Sequence, residues 1–406
     1  MVGVVFSGRN PAAKINKGIR LKGVEMHLSK LIYGILRDEK IGLVSTLPCN
    51  KLASMIRGLP DEIIHHPLNR EENGVGISSG FYLTGGKPLM MIQSSGLGNS
   101  LNALMSLTKG YALPLPIIAS WRGRENDKFK CHIPMGKFLP NVFKALDVPC
   151  TVIERPDQIE SLAQAIRNSF AQSTPHIILI TPEILEMDED NVPTPIWGRR
   201  ERVSKLIYER MFTDPELSRR EAIAALSEGF DDSIVLTTIG STCDELDAVC
   251  DRDLNFYVYG AMGQASAIGL GMAMNSTRRV LVLDGDGSLF MNPNILCEIS
   301  QANPGNLTII ALDNGTLSTT GEQKTPSHDS IDLELMARSL GMTNTRKAST
   351  RHEILKGLEN FAEGPNFLHV IIKGGSTRGA PTRDPLELKT RFMKAALPTS
   401  RTPGRY

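Results

Sequence analysis

Nowhere in these 406 residues does an apolar run approach the roughly 20 residues that a membrane-spanning helix requires, which argues against a membrane-embedded chain. Aromatic residues make up 5% of the chain, too few for the stacking platforms that hold single-stranded nucleic acid. Neither sign of charge prevails. The 45 Lys and Arg face 44 Asp and Glu for a net of +1, whereas binding nucleic acid by bulk electrostatics needs a basic surplus. The six cysteines form no CxxC pair and no His cluster has zinc-ligand spacing, so the thiols read as small packed hydrophobes in a reduced cytoplasm. No GxxxxGK[ST] occurs, which removes a P-loop. The run Gly96-Leu97-Gly98-Asn99-Ser100-Leu101 places Leu where a dinucleotide fingerprint wants a small residue, which removes a nicotinamide dehydrogenase. What is left, at 41% hydrophobic and 22% charged, is an ordinary globular composition, and at about 150 residues per domain the length allows two or three domains.

The pattern from Met26 onward alternates short apolar runs with helical periods. Strands are expected at Ile41–Thr46, Ile63–His66, Pro88–Ile92, Leu115–Ala119, Thr151–Glu154 and Ile177–Ile180, with helices over Glu71–Tyr82, Asn99–Leu107 and Ile159–Phe170. Strands separated by helices of 10 to 15 residues mean βαβ units and a parallel sheet. The acidic, proline-bearing stretch around Met187–Trp197 breaks the rhythm and reads as a linker. The alternation then restarts with helices from Arg202 and Glu221. Strands follow at Ile234–Thr238, Phe256–Tyr259, Val280–Leu283, Leu307–Leu312 and Phe367–Ile372, with helices at Ala265–Met274 and Asn294–Ala302. The expectation is therefore α/β with two tandem parallel-sheet domains. Their boundaries are a basic, acid-free, disordered extension over 1–25, a first domain over 26–185, a linker over 186–198, a second domain over 199–395 and a tail over 396–406.

The sharpest local signal is Val280-Leu281-Val282-Leu283-Asp284-Gly285-Asp286-Gly287-Ser288, a strand that runs into an Asp between two glycines and then into a helix. Glycines let backbone N–H groups approach a phosphate, and a helix N-terminus favours negative charge. An aspartate at that spot coexists with a phosphate only through a cation, and Mg2+ with oxygen ligands meets the need. The next strand ends at Asp313-Asn314-Gly315, separated from Gly287 by residues 288 to 312, room for one helix and a return strand. Asn314 thus arrives beside Asp286 at one carboxyl edge, and a carboxylate, an amide oxygen and a nearby carbonyl make half an octahedron.

These residues resemble the diphosphate-binding motif of the thiamine diphosphate enzymes, with Asp313 in place of the first of the usual two asparagines. The resemblance implies thiamine diphosphate and Mg2+ as cofactors, Asp286 and Asn314 as metal ligands with a carbonyl at Thr316, and diphosphate contacts at Gly240, Ser241, Gly285, Gly287 and Ser288. In Asn69-Arg70-Glu71-Glu72-Asn73 through Gly80 the family's catalytic glutamate, nine residues before a glycine, falls on Glu71, where it would exchange a proton with N1′ of the aminopyrimidine. Tyr259-Gly260-Ala261-Met262-Gly263 resembles the turn that bends the cofactor, Gly260 offering a carbonyl to the 4′-amine and Met262 a wedge between the rings. A non-catalytic binder of the cofactor would keep the glycine turn and lose the glutamate, which is present.

Most decarboxylases of this family carry a third, middle domain, and this chain has only the linker. Leu47-Pro48-Cys49, Gln93-Ser94-Ser95-Gly96-Leu97-Gly98-Asn99 and Ile133-Pro134-Met135-Gly136 resemble the branch that acts on 3-sulfopyruvate, often as two subunits that would here be fused, or on phosphonopyruvate as the near rival. Gln93 and Gly96 are expected at the cofactor and Asn99 at the substrate. His132 matches a histidine turn of related decarboxylases and is the expected proton relay, ahead of His65 and His66. Arg122 and Arg124, at a strand's carboxyl end, are the expected contacts for a tetrahedral anion. The family places its cofactor between the first domain of one chain and the second of another, which implies a homo-oligomer, at least a dimer, with a small-molecule 2-oxo acid substrate and neither nucleic acid nor membrane as partner.

Overall fold

A computed structural model describes residues 19–21, 24–186, 214–359, 364–375 and 383–397. The expected linker beyond Glu186, the helix from Arg202 and the end of the tail lie outside the described residues. Within the stretch read as an extension, Ile19–Leu21 pairs antiparallel with Val24–Met26.

Two six-stranded sheets carry the chain. The first holds β1 (Leu43–Thr46), β2 (Ile64–Pro67), β3 (Pro88–Gln93), β4 (Leu115–Ser120), β5 (Cys150–Ile153) and β6 (Pro175–Ile180). The second holds β7 (Ile234–Thr237), β8 (Asn255–Tyr257), β9 (Val280–Gly285), β10 (Leu307–Asp313), β11 (Asn344–Ala348) and β12 (Asn366–Ile371). Every pairing in both sheets is parallel, and the orders are β2-β1-β3-β4-β6-β5 and β8-β7-β9-β10-β12-β11. The second order is the first repeated, strand for strand. Central strands such as LPIIAS in β4 and LTIIALD in β10 are buried along their whole length, as strands covered by helices on both faces must be. β11 (NTRKA) is polar because it is an edge, and for that reason its apolar signal is missing from the sequence.

In each sheet the chain reverses its direction of winding between the first and third strands, at β1/β3 and at β7/β9. Loops leaving neighbouring strands to opposite sides open a crevice there, which is where ligands bind in open α/β sheets. The helices that matter are α1 (Glu71–Leu83), α2 (Arg219–Ser227), α3 (Ser241–Cys250), α4 (Ala265–Met274), α5 (Asp286–Met291), α6 (Ile295–Ala302) and α7 (Pro385–Ala396).

α1 and α4 join the two halves. Both are buried nearly all round and rich in small residues, as a helix enclosed on every side must be. A Cβ on Gly80 would lie 1.9 Å from the Ile268 carbonyl oxygen, and one on Gly271 would lie 1.9 Å from that of Ile77. Backbone meets backbone at this crossing, and only glycine permits it. α7 fastens the end of the described chain: Phe392 packs edge-on against Phe256, and Lys389 Nζ donates to the Ala112 carbonyl of the first half. Arg383 and Arg391 both pair with Asp251.

Candidate active site

The crevice at β7/β9 is a cradle built from two helix starts. Gly240, at φ +102°, ends the loop after β7 and caps α3, so the first amides of α3 face the cradle. Gly285 caps α5, whose first residue is Asp286. Thr238, Gly240, Ser241, Thr242, Met262, Gly285–Ser288, Asn314 and Thr316–Thr319 line the space together with Arg219. Ser241 Oγ is buried with no partner among the described residues, a hydroxyl left for something that enters. A Cβ on Gly287 would meet Leu317 Cδ2 at 2.3 Å and Met262 Cε at 3.5 Å, which places the Met262 tip over the glycine turn.

Asp286 and Asn314 come together on one rim. Asp286 is 4% exposed, and its Oδ2 accepts from the Thr325 and Ser327 hydroxyls. Burial first, and then the charge of Asp313, pushes its carboxyl up to about 6. The Asn314 amide satisfies its surroundings with its oxygen toward Ser318 Oγ (2.6 Å) and Arg219 Nη2 (3.3 Å) and its nitrogen toward the Thr316 carbonyl (2.9 Å). Among the described residues no three His, Cys, Asp or Glu side chains are grouped to hold a metal. One carboxylate, one amide oxygen and one carbonyl are instead the oxygen set that suits a hard cation.

The turn before α4 closes another side. Gly260 lies against Ser106, a Cβ there falling 2.7 Å from the Ser106 carbonyl oxygen, and Ala261 N donates to Ser106 Oγ at 2.9 Å. Ser106 sits in a π-helical turn, Leu104–Lys109, that ends the helix expected at Asn99–Leu107. The wider turn rearranges the helix where it touches the Gly260 segment, a common use of π turns near sites.

Glu71 belongs to a second cluster, at the carboxyl edge of the first sheet. It opens α1 and is 8% exposed; its Oε2 accepts from Asn99 Nδ2 at 3.0 Å. A Cβ on Gly96 would fall 2.4 Å from Glu71 Cγ, so the glycine is required for the carboxylate to pass. Asn99, expected at the substrate, is thus also the hydrogen-bond partner of Glu71. Gln93 donates to Ser95 Oγ at 2.6 Å, and its Oε1 lies 3.6 Å from Cys49 Sγ.

His132, Arg122 and Arg124 form a third group. Arg122 is buried and grips Asp127 with Nε and Nη2, both at 2.9 Å, which holds the aspartate well below the usual carboxylate range. His132 Nδ1 lies 3.7 Å from the same carboxylate. Arg124 reaches Glu154 and Glu183 at the surface. Both arginines therefore already have acidic partners: Asp127 lies five residues along the same loop, while Glu154 and Glu183 come from the segments that follow β5 and β6. This turn packs over the second cluster, since a Cβ on Gly98 would lie 3.0 Å from Met135 Cε.

Two features escaped sequence reasoning. Arg219 opens α2 behind a Ser218–Glu221 capping box, which was readable as a helix start but not as part of a site 66 positions before Gly285. Glu298, on α6, is fully buried and accepts from Asn69 N and Asn73 Nδ2, both at 2.7 Å, with His66 Nε2 at 3.4 Å. Asn73 also bonds Asn292, which donates to the Gly263 carbonyl. This network ties the start of α1 to the second half.

Comparison with known proteins follows the same division. A model of the N-terminal TPP binding domain of thiamine pyrophosphate enzymes matches residues 26–145, and a model of the C-terminal TPP binding domain matches 246–372. Fold and cradle together define a thiamine pyrophosphate enzyme with two cofactor-binding domains and no middle one. A sulfopyruvate decarboxylase of Methanosarcina acetivorans is 40% identical over 89% of this chain and 95% of its own. Separate beta and alpha subunits of that name, from Methanothermobacter thermautotrophicus and Methanococcus maripaludis, are 40% and 35% identical; they cover 44% and 40% of this chain and 95% and 100% of their own. The chain belongs to the sulfopyruvate decarboxylase family, its alpha-like and beta-like halves joined in one polypeptide. A phosphonopyruvate decarboxylase of Streptomyces hygroscopicus is more distant, 31% identical over 87% of this chain and 90% of its own. The benzoylformate decarboxylase of Polynucleobacter necessarius shares the fold, with TM-score 0.68 at 13% identity over 86% of this chain and 99% of that one. Among the described residues no helix is long and apolar enough to cross a membrane.

Proposed function

We propose that this chain decarboxylates 3-sulfopyruvate to sulfoacetaldehyde and CO2 with thiamine diphosphate and Mg2+, as a cytoplasmic step of coenzyme M biosynthesis. The observation that carries the cofactor is the cradle itself. Two helix starts and a Ser241 hydroxyl with no partner among the described residues face a rim that carries the buried Asp286 carboxylate beside the Asn314 amide. In that reading Asp286, Asn314 and the Thr316 carbonyl hold Mg2+. The amides after Gly240 and Gly285, with Gly287 and Ser288, take the diphosphate, Gly260 takes the 4′-amine, and Met262 keeps the two rings folded. Bound there, thiamine diphosphate supplies a nucleophilic carbon and an electron sink for the bond to CO2. Glu71 holds and returns the proton at N1′, oriented by Asn99 across Gly96. In the same reading His132, beside Asp127, moves a proton at the substrate, and a sulfonate reaching Arg122 would share its guanidinium with Asp127.

The cradle is lined by residues between 219 and 319, while the contacts of Glu71 lie in its own half. That division supports a homo-oligomer, at least a dimer, in which the second half of one chain meets the first half of another. Substrate choice rests on the greater identity to the sulfonate-named relative than to the phosphonate-named one. The test is CO2 release by purified protein with Mg2+ and thiamine diphosphate, from sulfopyruvate and phosphonopyruvate in parallel. Preference for sulfopyruvate is expected. Faster turnover of phosphonopyruvate, or of neither, overturns the assignment.

A further inference from the structure

We propose that Arg219 is a cationic contact for the cofactor's diphosphate, held ready by Glu245. This rests on the cradle being a diphosphate site. Among the described residues that line it, Arg219 is the one cation, and it is 7% exposed. A guanidinium is buried only where its charge is answered, and here Glu245 gives one answer at long range while the face toward the cradle meets only neutral oxygens. Nη1 reaches Glu245 Oε1 at 3.5 Å, a long contact between two buried groups. Nη2 is directed into the cradle, 3.2 Å from Ser318 Oγ and 3.3 Å from the Asn314 amide oxygen.

Charge supplies the reason. A diphosphate together with Asp286 brings more negative charge than one divalent cation removes. The two helix starts offset a fraction of it, each about half an elementary charge. A guanidinium beside them completes the neutralisation, and its planar fork can give two donors to phosphate oxygens where Lys gives a point charge. Geometry supplies the positioning. Glu245 lies one turn along α3 from Ser241, so the same helix that presents its amides to the phosphate also steers the arginine. At the other end, the Ser218–Glu221 capping box fixes the start of α2 from which Arg219 springs. By touching Asn314 as well, Arg219 links the anion to the rim that holds the metal.

The full-length protein answers this by calorimetric titration with Mg2+ plus inorganic pyrophosphate, and separately with Mg2+ plus thiamine diphosphate. Arg219→Gln is expected to weaken both by 10- to 100-fold at low salt in protein that remains folded by circular dichroism, with a lowered apo melting temperature because Glu245 loses its partner. Arg219→Lys should fall between, 3- to 10-fold weaker. A folded Arg219→Gln that binds both within threefold of wild type overturns the proposal. If Arg219→Gln does not fold, Arg219→Lys decides: wild-type affinity for Mg-pyrophosphate refutes the contact, and a 3- to 10-fold loss supports it. Wild-type protein that binds neither probe would instead remove the diphosphate site on which the inference stands.

Discussion

Replacing Asp286, the proposed metal ligand, should make the cofactor-free protein more stable. Asp286 is buried, and its carboxyl is pushed up to about 6 from an ordinary value of 3.8, by burial first and by Asp313 second. A folded-state pKa above the unfolded one means stability is complete below about pH 4 and declines as pH rises through about 6. At 1.36 kcal/mol per unit, the deficit above pH 7 is about 3 kcal/mol. Asp286→Asn removes the charge and keeps an oxygen for Thr325 and Ser327, so most of that deficit should be recovered. We take about 2 kcal/mol, which for a domain of this size raises the melting temperature by roughly 4–8 °C. At pH 4 the difference should shrink to about 0.5 kcal/mol, because the folded-state carboxyl is then protonated and the unfolded-state one, at its ordinary value of 3.8, is partly so. With Mg2+ and thiamine diphosphate at a hundred times their dissociation constant, the wild type should gain about 2.7 kcal/mol while the variant gains nothing. The order of stabilities therefore inverts on loading. The assay is a melting series from pH 4 to 8 in chelator, repeated with cofactor. A variant that melts at or below the wild type in chelator at pH 8 would refute the view of Asp286 as an uncompensated charge waiting for a cation.

Glu298→Ala should destabilise the protein by about 3–5 kcal/mol in denaturant titration, because Asn69 N–H and the Asn73 amide lose a buried acceptor. Glu298→Gln should recover part of this, and a loss below about 1 kcal/mol for Ala would contradict the tie between the halves. Glu71→Gln keeps an acceptor for Asn99, so thiamine diphosphate affinity should stay within a few-fold of wild type while turnover falls by roughly 100-fold or more. Near-normal turnover in that variant would remove Glu71 from the proton path.

The parallel sheets were legible because their central strands are apolar on both faces, and a run such as VLVLDG announces itself. Helix α4 was readable to the residue, Ala265–Met274, since it is apolar all round. The edge strand Asn344–Ala348 was not, because half of it faces water and its polar residues carry no period. The cradle's glycine turns were legible for a related reason: they are short, local and chemically demanding. Arg219, Glu298 and the partners of Arg124 were not, since each depends on a residue brought from a distant part of the chain. Two halves with one strand order also show no sequence repeat. The order is fixed by which strands are buried, and many apolar sequences meet that requirement equally well.

Asp313 shows where the boundary falls. The sequence reveals a departure, Asp where the resembled motif has Asn, and its contacts show what holds it. Oδ1 accepts from Gly315 N and Ser327 Oγ, and Oδ2 lies 2.8 Å from Nε2 of His369, a buried residue on β12 whose Nδ1 is 3.8 Å from Asp332. The extra carboxylate is therefore taken up by hydrogen bonds and a histidine from the neighbouring strand, and is not left for the cation. That supports a metal rim of one carboxylate, Asp286, with Asn314 and a carbonyl beside it. It also accounts for why an aspartate is tolerated one residue before Asn314: the Gly315 N–H and His369 on the neighbouring strand answer the charge at 313. The register that decides this, Asp313 paired with Ile371 and Ala311 with His369, is set by packing between strands more than 50 residues apart. A motif read along one strand fixes which residues arrive at the edge, and the neighbouring strand fixes which of them are free to act.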